Sequence, residues 1–255
     1  MLRTLAAQAI AIWPQEQALI ARYQLPVGAK ILDIGCGTGE ISARLLELIP
    51  QSHLIGVDLD RAHLDRARQR CTSFADRAEF RVADAVELDV NDGPFDLTVC
   101  RHLLQAVPSP SRVVANMARL TRPGGRIHVV AEDYAMMHFW PTQDDMDEFW
   151  RRGPIRFASV TGTDLRSGRK MFHVMSELGL RDVRVDMLCI DTIRVNRETF
   201  AEIWIAWRDG YAEAISEHTE LTVDEVTSSF NQMIECILNP KGYAVWQLPV
   251  ISARV

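Results

Sequence analysis

Three side chains in this chain have the type and the company to move protons or hold charge: His102, Glu132 and Tyr134. His102 follows Arg101 at the tip of the apolar run Phe95-Asp96-Leu97-Thr98-Val99-Cys100. An imidazole titrates near neutral pH, so it can take a proton from a hydroxyl group. Glu132 or its neighbour Asp133 can bind an ammonium ion and release it as a neutral amine. Tyr134 or His138 can anchor a carbon nucleophile such as an indole or an enol. A second set is made of acids: Asp33, Asp58 and Asp84 each stand at or near the end of a short apolar run. A carboxylate offers two acceptor oxygens, which suits Asp58 to the paired hydroxyls of a ribose.

Stepping the acids apart at this spacing requires strands that end at one edge of a sheet. The first is written most clearly, in Ile31-Leu32-Asp33-Ile34-Gly35-Cys36-Gly37-Thr38-Gly39-Glu40. A short buried strand runs into three alternating glycines, and Ile41 to Leu48 then reads as a helix. Such a turn lets a ligand lie against bare backbone beside the free N–H groups and positive end of the helix. Dinucleotide sites carry G-x-G-x-x-G, whereas this turn is G-x-G-x-G with Asp33 two residues ahead of it. That combination resembles motif I of the class I S-adenosylmethionine (SAM)-dependent methyltransferases. The resemblance covers roughly residues 25–185 and rests on the glycine turn, the three acids and the Pro123-Gly124-Gly125 turn.

The resemblance implies that Gly35, Gly37 and Gly39 line the methionine part of SAM and that Asp33 lies near its amino group. It implies that Asp84 accepts from the adenine amino group and that Ala85 offers a backbone N–H. Cys36, Leu59, Cys100 and Arg101 complete the implied cofactor set, with S-adenosylhomocysteine (SAH) as product. Cys36 and Cys100 also fit as small buried residues, and Asp84 as a turn cap.

The order of elements reads strand-helix repeated, with strands ending at Ile34, Asp58, Asp84, Cys100 and Ala131. This predicts an α/β fold with a doubly wound, mostly parallel sheet. Seven strands in a Rossmann-like methyltransferase fold, with a helical substrate lid, are what the resemblance implies. Residues 1–24 are expected to form a helical cap, broken into two short helices at Trp13-Pro14. The cofactor core takes 25–134 and 166–190, and 135–165 is a lid rich in methionine and aromatic residues. Its His138, Phe139, Trp140 and Trp150 are the candidate substrate contacts. A helical pair over 191–240 precedes a final strand of the core sheet within 241–255, and the pair could wall the site or form a homodimer interface.

With 255 residues and 47% hydrophobic content, the chain can bury a large core. A net charge of −6 argues against a nucleic-acid partner, because no basic stripe is present. Five scattered cysteines without a C-x-x-C pair argue against a disulfide framework or a metal site and fit a cytoplasmic protein. No stretch reaches the apolar length needed for stable membrane insertion. The reading is therefore an enzyme that methylates a small organic acceptor at oxygen, nitrogen or carbon by in-line displacement. Two alternatives stand beside it: an NAD-dependent oxidoreductase, disfavoured by the glycine spacing, and a non-catalytic SAM- or SAH-binding protein.

Overall fold

The computed structural model describes residues 2–88 and 93–255. The parallel part of the sheet is built from β1 (Lys30–Ile34), β2 (His53–Asp58), β3 (Ala78–Val82), β4 (Phe95–Arg101) and β5 (Thr121–Val130). Helices α1 (Leu2–Ala21), α2 (Glu40–Leu48), α3 (Arg61–Arg70) and α4 (Pro110–Leu120) belong to this half. The second half holds β6 (Met137–Trp140), α5 (Met146–Arg152), α6 (Pro154–Thr161), α7 (Gly168–Glu177) and β7 (Arg181–Asp191). It closes with α8 (Arg197–His218), α9 (Val223–Leu238) and β8 (Tyr243–Arg254).

The strand order is β3-β2-β1-β4-β5-β8-β6, with β7 on the other edge of β8, eight strands among the described residues. β1 to β5 are parallel, and β8 runs antiparallel to each of its neighbours. Residues on β1 alternate between the two faces. Ile31 packs with Leu45, Leu46 and Leu64 of α2 and α3, while Leu32 and Ile34 pack with Val113, Val114 and Met117 of α4. Helices on both faces are what parallel strands require, because every crossover must return over the sheet. α8 and α9 add a second core of aromatic side chains, centred on the fully buried Trp204, Trp246, Phe200 and Phe230.

Four elements differ from the sequence reading. α1 is one helix, with Pro14 inside it. A proline there costs about 3 kcal/mol, and tertiary contacts on both sides of it offset this: Ile12 and Ile20 are buried, and the Gln15 amide makes two hydrogen bonds (2.8 and 3.0 Å) to the Cys189 backbone. β3 stops at Val82, so Ala83 to Ala85 lie beyond the strand. β5 starts at Thr121, ahead of the Pro-Gly-Gly turn, with an irregularity opposite Phe95 and Leu97.

The fourth difference bears on the site. Met137–Trp140, expected in the lid, is a strand that pairs with Tyr243–Trp246 of β8. β5 pairs with residues 250–254 of the same β8 edge. β5 and β6 thus lie end to end on one side of β8, and residues 131–136 leave the sheet between them. The Ala131 N–H bonds to the Pro249 carbonyl (3.2 Å) and the Gln247 N–H to that of Met136 (2.9 Å), closing the gap at either side.

Candidate functional site

The carboxyl ends of β1 to β5 face one edge of the sheet. Between β1 and β4 the strand order reverses, which opens a crevice for a ligand. The glycine turn lies there. Gly35 and Gly39 both have positive φ (72° and 75°). A Cβ on Gly39 would come within 2.9 Å of Ala67 on α3, and one on Gly35 within 3.0 Å of Leu103. The first two amides of the turn bond back to the Val57 carbonyl (2.8 and 3.0 Å). Gly37 N–H instead reaches Asp58 Oδ2 at 2.9 Å, and Asp60 N–H reaches Oδ1 at 2.9 Å. Asp58 is thereby held at the rim with further lone pairs on each oxygen.

Asp33 is buried and accepts a hydrogen bond from Ser42 Oγ at 2.7 Å. Burial pushes its carboxyl up to about 6, against the pull of the Ser42 hydroxyl. Asp84 is exposed and accepts from the Val86 N–H at 2.8 Å. Leu59, between Asp58 and Asp60, is 65% exposed, an apolar surface open to cover by a flat ligand. Buried carboxyl, glycine cradle, rim acid and exposed leucine fit a molecule with an amino acid end, a ribose and a base.

A cavity of about 450 Å³ opens beside this crevice, and His102, Gln105, Glu132, Tyr134, Trp150 and Trp207 are among its walls. His102 has φ 52°, a left-handed backbone that ends β4 sharply while its N–H still bonds to the Val130 carbonyl (3.1 Å). Its Nδ1 contacts Glu132 Oε1 in a short hydrogen bond. Glu132 is fully buried in the segment that leaves the sheet, and His102 Nε2 is buried without a protein partner. A carboxylate on Nδ1 favours a proton there, which leaves Nε2 as an acceptor. Tyr134 stacks on Trp150 at 5.4 Å and sits 5.2 Å from Trp207, and its burial raises the phenol well above its ordinary value.

Three comparisons with known proteins bear on this arrangement. The family pattern described as "Methyltransferase domain" matches residues 31–125. A ubiquinone biosynthesis O-methyltransferase of Methylococcus capsulatus is 26% identical over 194 residues, 67% of this chain and 81% of the relative. A phosphatidylethanolamine N-methyltransferase of Cereibacter sphaeroides is 38% identical over 108 residues, 40% of this chain and 50% of that protein. Residues 31–125 thus carry a methyltransferase domain, and the chain is similar to class I SAM-dependent methyltransferases. Its fold matches the Haemonchus contortus phosphoethanolamine N-methyltransferase 2 solved with phosphomonomethylethanolamine and SAH, at TM-score 0.61 and 19% identity. That match covers 95% of this chain and 52% of the other. The chain thus spans most of one relative and about half of two others. SAM is the cofactor of the family, and the NAD reading is set aside.

The methyltransferase crevice gathers Asp33, Gly35, Cys36, Gly37, Gly39 and Asp58 at the strand ends, with Leu59 and Asp84 at its rim. The Cys36 and Cys100 thiols are buried and pushed up by that burial, and Cys100 packs in the core with Leu32 and Ile34. The Arg101 side chain turns away to Glu16 on α1 (2.7 Å). Ala85 is buried, its carbonyl accepting from Asn116 Nδ2 at 2.9 Å. The cavity brings together His102, Glu132, Tyr134 and Trp150. It does not include Asp133, whose carboxylate is committed to Arg169 (2.5 and 2.8 Å).

His138, Phe139 and Trp140 also lie outside the cavity walls, because they alternate on β6. Phe139 packs on Trp204 at 5.6 Å, Trp140 is 73% exposed, and His138 faces the exposed Asp147 at 3.9 Å. As substrate contacts these three are corrected. The sequence reading also missed Gln105, Trp207, Tyr211 and, on α1, Leu5 and Gln8. Gln105 follows His102 by three residues, a spacing that places it on the same turn and was open to notice. The others come from helices far away in sequence.

Proposed function

We propose that this methyltransferase moves the SAM methyl group onto a hydroxyl of a small, largely apolar acceptor held in the aromatic cavity. One observation carries the reading: His102 Nδ1 is bonded to the buried Glu132, and its Nε2 is left unpartnered at the cavity wall. Asp33, the glycine turn, Asp58 and Asp84 would hold SAM. When bound, SAM supplies a methyl carbon already activated on a sulfonium, and the electron pair of the broken carbon–sulfur bond stays on sulfur in SAH. His102 Nε2 takes the hydroxyl proton as the acceptor oxygen forms its new bond to carbon. Glu132 stabilises the imidazolium that results and fixes the ring's orientation. Tyr134, Trp150 and Trp207 exclude water and hold the acceptor flat.

The test is transfer of labelled methyl from SAM to panels of phenols, alcohols, amines and indoles. His102→Gln is expected to lower kcat for a hydroxyl acceptor by about a hundredfold while SAH affinity holds. Undiminished turnover in that variant would remove His102 from proton transfer. Glu132 beside aromatic rings also suits an ammonium group; turnover of amines alone would favour that second reading. A cytoplasmic location and self-association are further proposals, checked by fractionation and light scattering. Among the described residues no helix is long and apolar enough to cross a membrane.

A further inference from the structure

The cavity wall around His102 carries more hydrogen-bonding capacity than one hydroxyl can use. Glu132 Oε2 and Gln105 Oε1 are buried without a protein partner, as is His102 Nε2. All three residues line the same cavity. The Gln105 amide is oriented by its own Nε2, which donates to the His102 carbonyl at 2.8 Å, so its oxygen is the free end. With a proton on Nδ1 toward Glu132, His102 Nε2 is an acceptor. Three acceptors, one of them the imidazole's own Nε2, therefore lack a protein donor on this wall and are suited to protons brought by a ligand. A lone hydroxyl carries one proton and can serve only one of them.

The charge of the wall adds a second constraint. None of the described residues lining the cavity is a lysine or an arginine, and Glu132 is its one carboxylate. A phosphate or carboxylate on the acceptor would be buried beside an anion with no cation to balance it. The remaining unpartnered buried polar atom among the lining side chains is Trp150 Nε1, a donor set among aromatic rings. It suits an uncharged oxygen on the body of the acceptor.

Resting on the methyl-transfer reading, we infer that the acceptor is an uncharged or cationic molecule with an apolar frame and two adjacent hydrogen-bond donors, a vicinal diol or amino alcohol. One donor gives its proton to His102 Nε2, and its neighbour is held by Glu132 Oε2 or Gln105 Oε1. Gln105 is then a specificity residue that selects for the second donor.

The experiment titrates three probes into the protein saturated with SAH: a vicinal naphthalenediol, the matching naphthol and the matching hydroxynaphthoic acid. The same three are assayed for methyl transfer from labelled SAM. The diol is expected to bind at least about tenfold tighter than the naphthol, and the hydroxy acid more weakly than either. Gln105→Met is expected to reduce the diol's advantage several-fold, with SAH affinity kept as the check on folding. Equal binding of diol and naphthol, or tightest binding of the hydroxy acid, overturns the inference; methylation of the naphthol would still leave the methyl-transfer reading standing. SAH binding with no methyl transfer to any acceptor overturns both.

Discussion

Glu16 and Asp33 are both buried carboxyls, yet their protons move in opposite directions. Burial alone would raise each. At Glu16, Arg101 at 2.7 Å and His128 at 3.0 Å outweigh it and hold the group at about 2, against 4.5 for a free side chain. Glu16 therefore contributes stability that is complete above pH 4.5 and lost as pH falls toward 2. Glu16→Gln is expected to cost roughly 3 kcal/mol at neutral pH. Urea titrations from pH 6 downward should show the gap to wild type closing in that acid window. At Asp33 burial prevails over the Ser42 hydroxyl and the more distant charge of Arg101, and the group keeps its proton to about 6. Its ionisation costs stability as pH climbs from 3.8 through 6. An ammonium group docked on Asp33 reverses that cost. SAH affinity is therefore expected to rise as pH climbs to about 6 and then level off, with Asp33→Asn flattening the profile; calorimetry at stepped pH reads both. Asp33, like Asp58 and Asp84, was legible in the sequence because it stands close to the end of its strand. Glu16 was not, since its partners Arg101 and His128 lie far along the chain.

At the scale of elements, the position of Glu132 depends on α7. Gly168, the first residue of that helix, donates its N–H to the Glu132 carbonyl at 2.8 Å. A Cβ at Gly168 would lie 2.4 Å from the Ala131 carbonyl oxygen and 3.0 Å from that of Glu132. Backbone atoms cannot step aside as a flexible side chain can. Gly168→Ala is expected to cost about 1–3 kcal/mol and to lower kcat by moving Glu132 away from His102. Thermal unfolding and steady-state kinetics, read together, check it. The strand-turn-helix units up to β5 could be read from sequence because each is specified within some thirty residues. The capping box of α9, Thr222 with Glu225, is equally local. β6 was not legible, because Met137–Trp140 becomes a strand only through Tyr243–Trp246, more than a hundred residues later. The aromatic content that suggested a lid was real, but alternation on β6 sends His138 and Trp140 outward.

At the scale of the whole molecule, two tasks fall to two stretches of chain. The matched domain, residues 31–125, supplies the glycine turn, the three acids proposed to hold SAM, and His102. Trp150, Trp207 and Tyr211, which wall the cavity proposed for the acceptor, come from α5 and α8, beyond that stretch. Changes on α8 should therefore alter which acceptor is used and leave the cofactor alone. Tyr211→Leu is expected to shift acceptor KM by about fivefold, the scale of one lost hydrogen bond, with SAH affinity unchanged by calorimetry. The arrangement of β8 adds a constraint on manufacture. It follows all three of its partners in sequence, yet it lies between β5 and β7 and also carries β6. A ribosome delivers its three partners first and must hold them waiting, with the sheet open down its middle. Glu132 sits at that open seam, held on either side by the bonds of Ala131 and Met136 to β8, so its part of the cavity wall is expected to set only once residues 243–254 have emerged and paired.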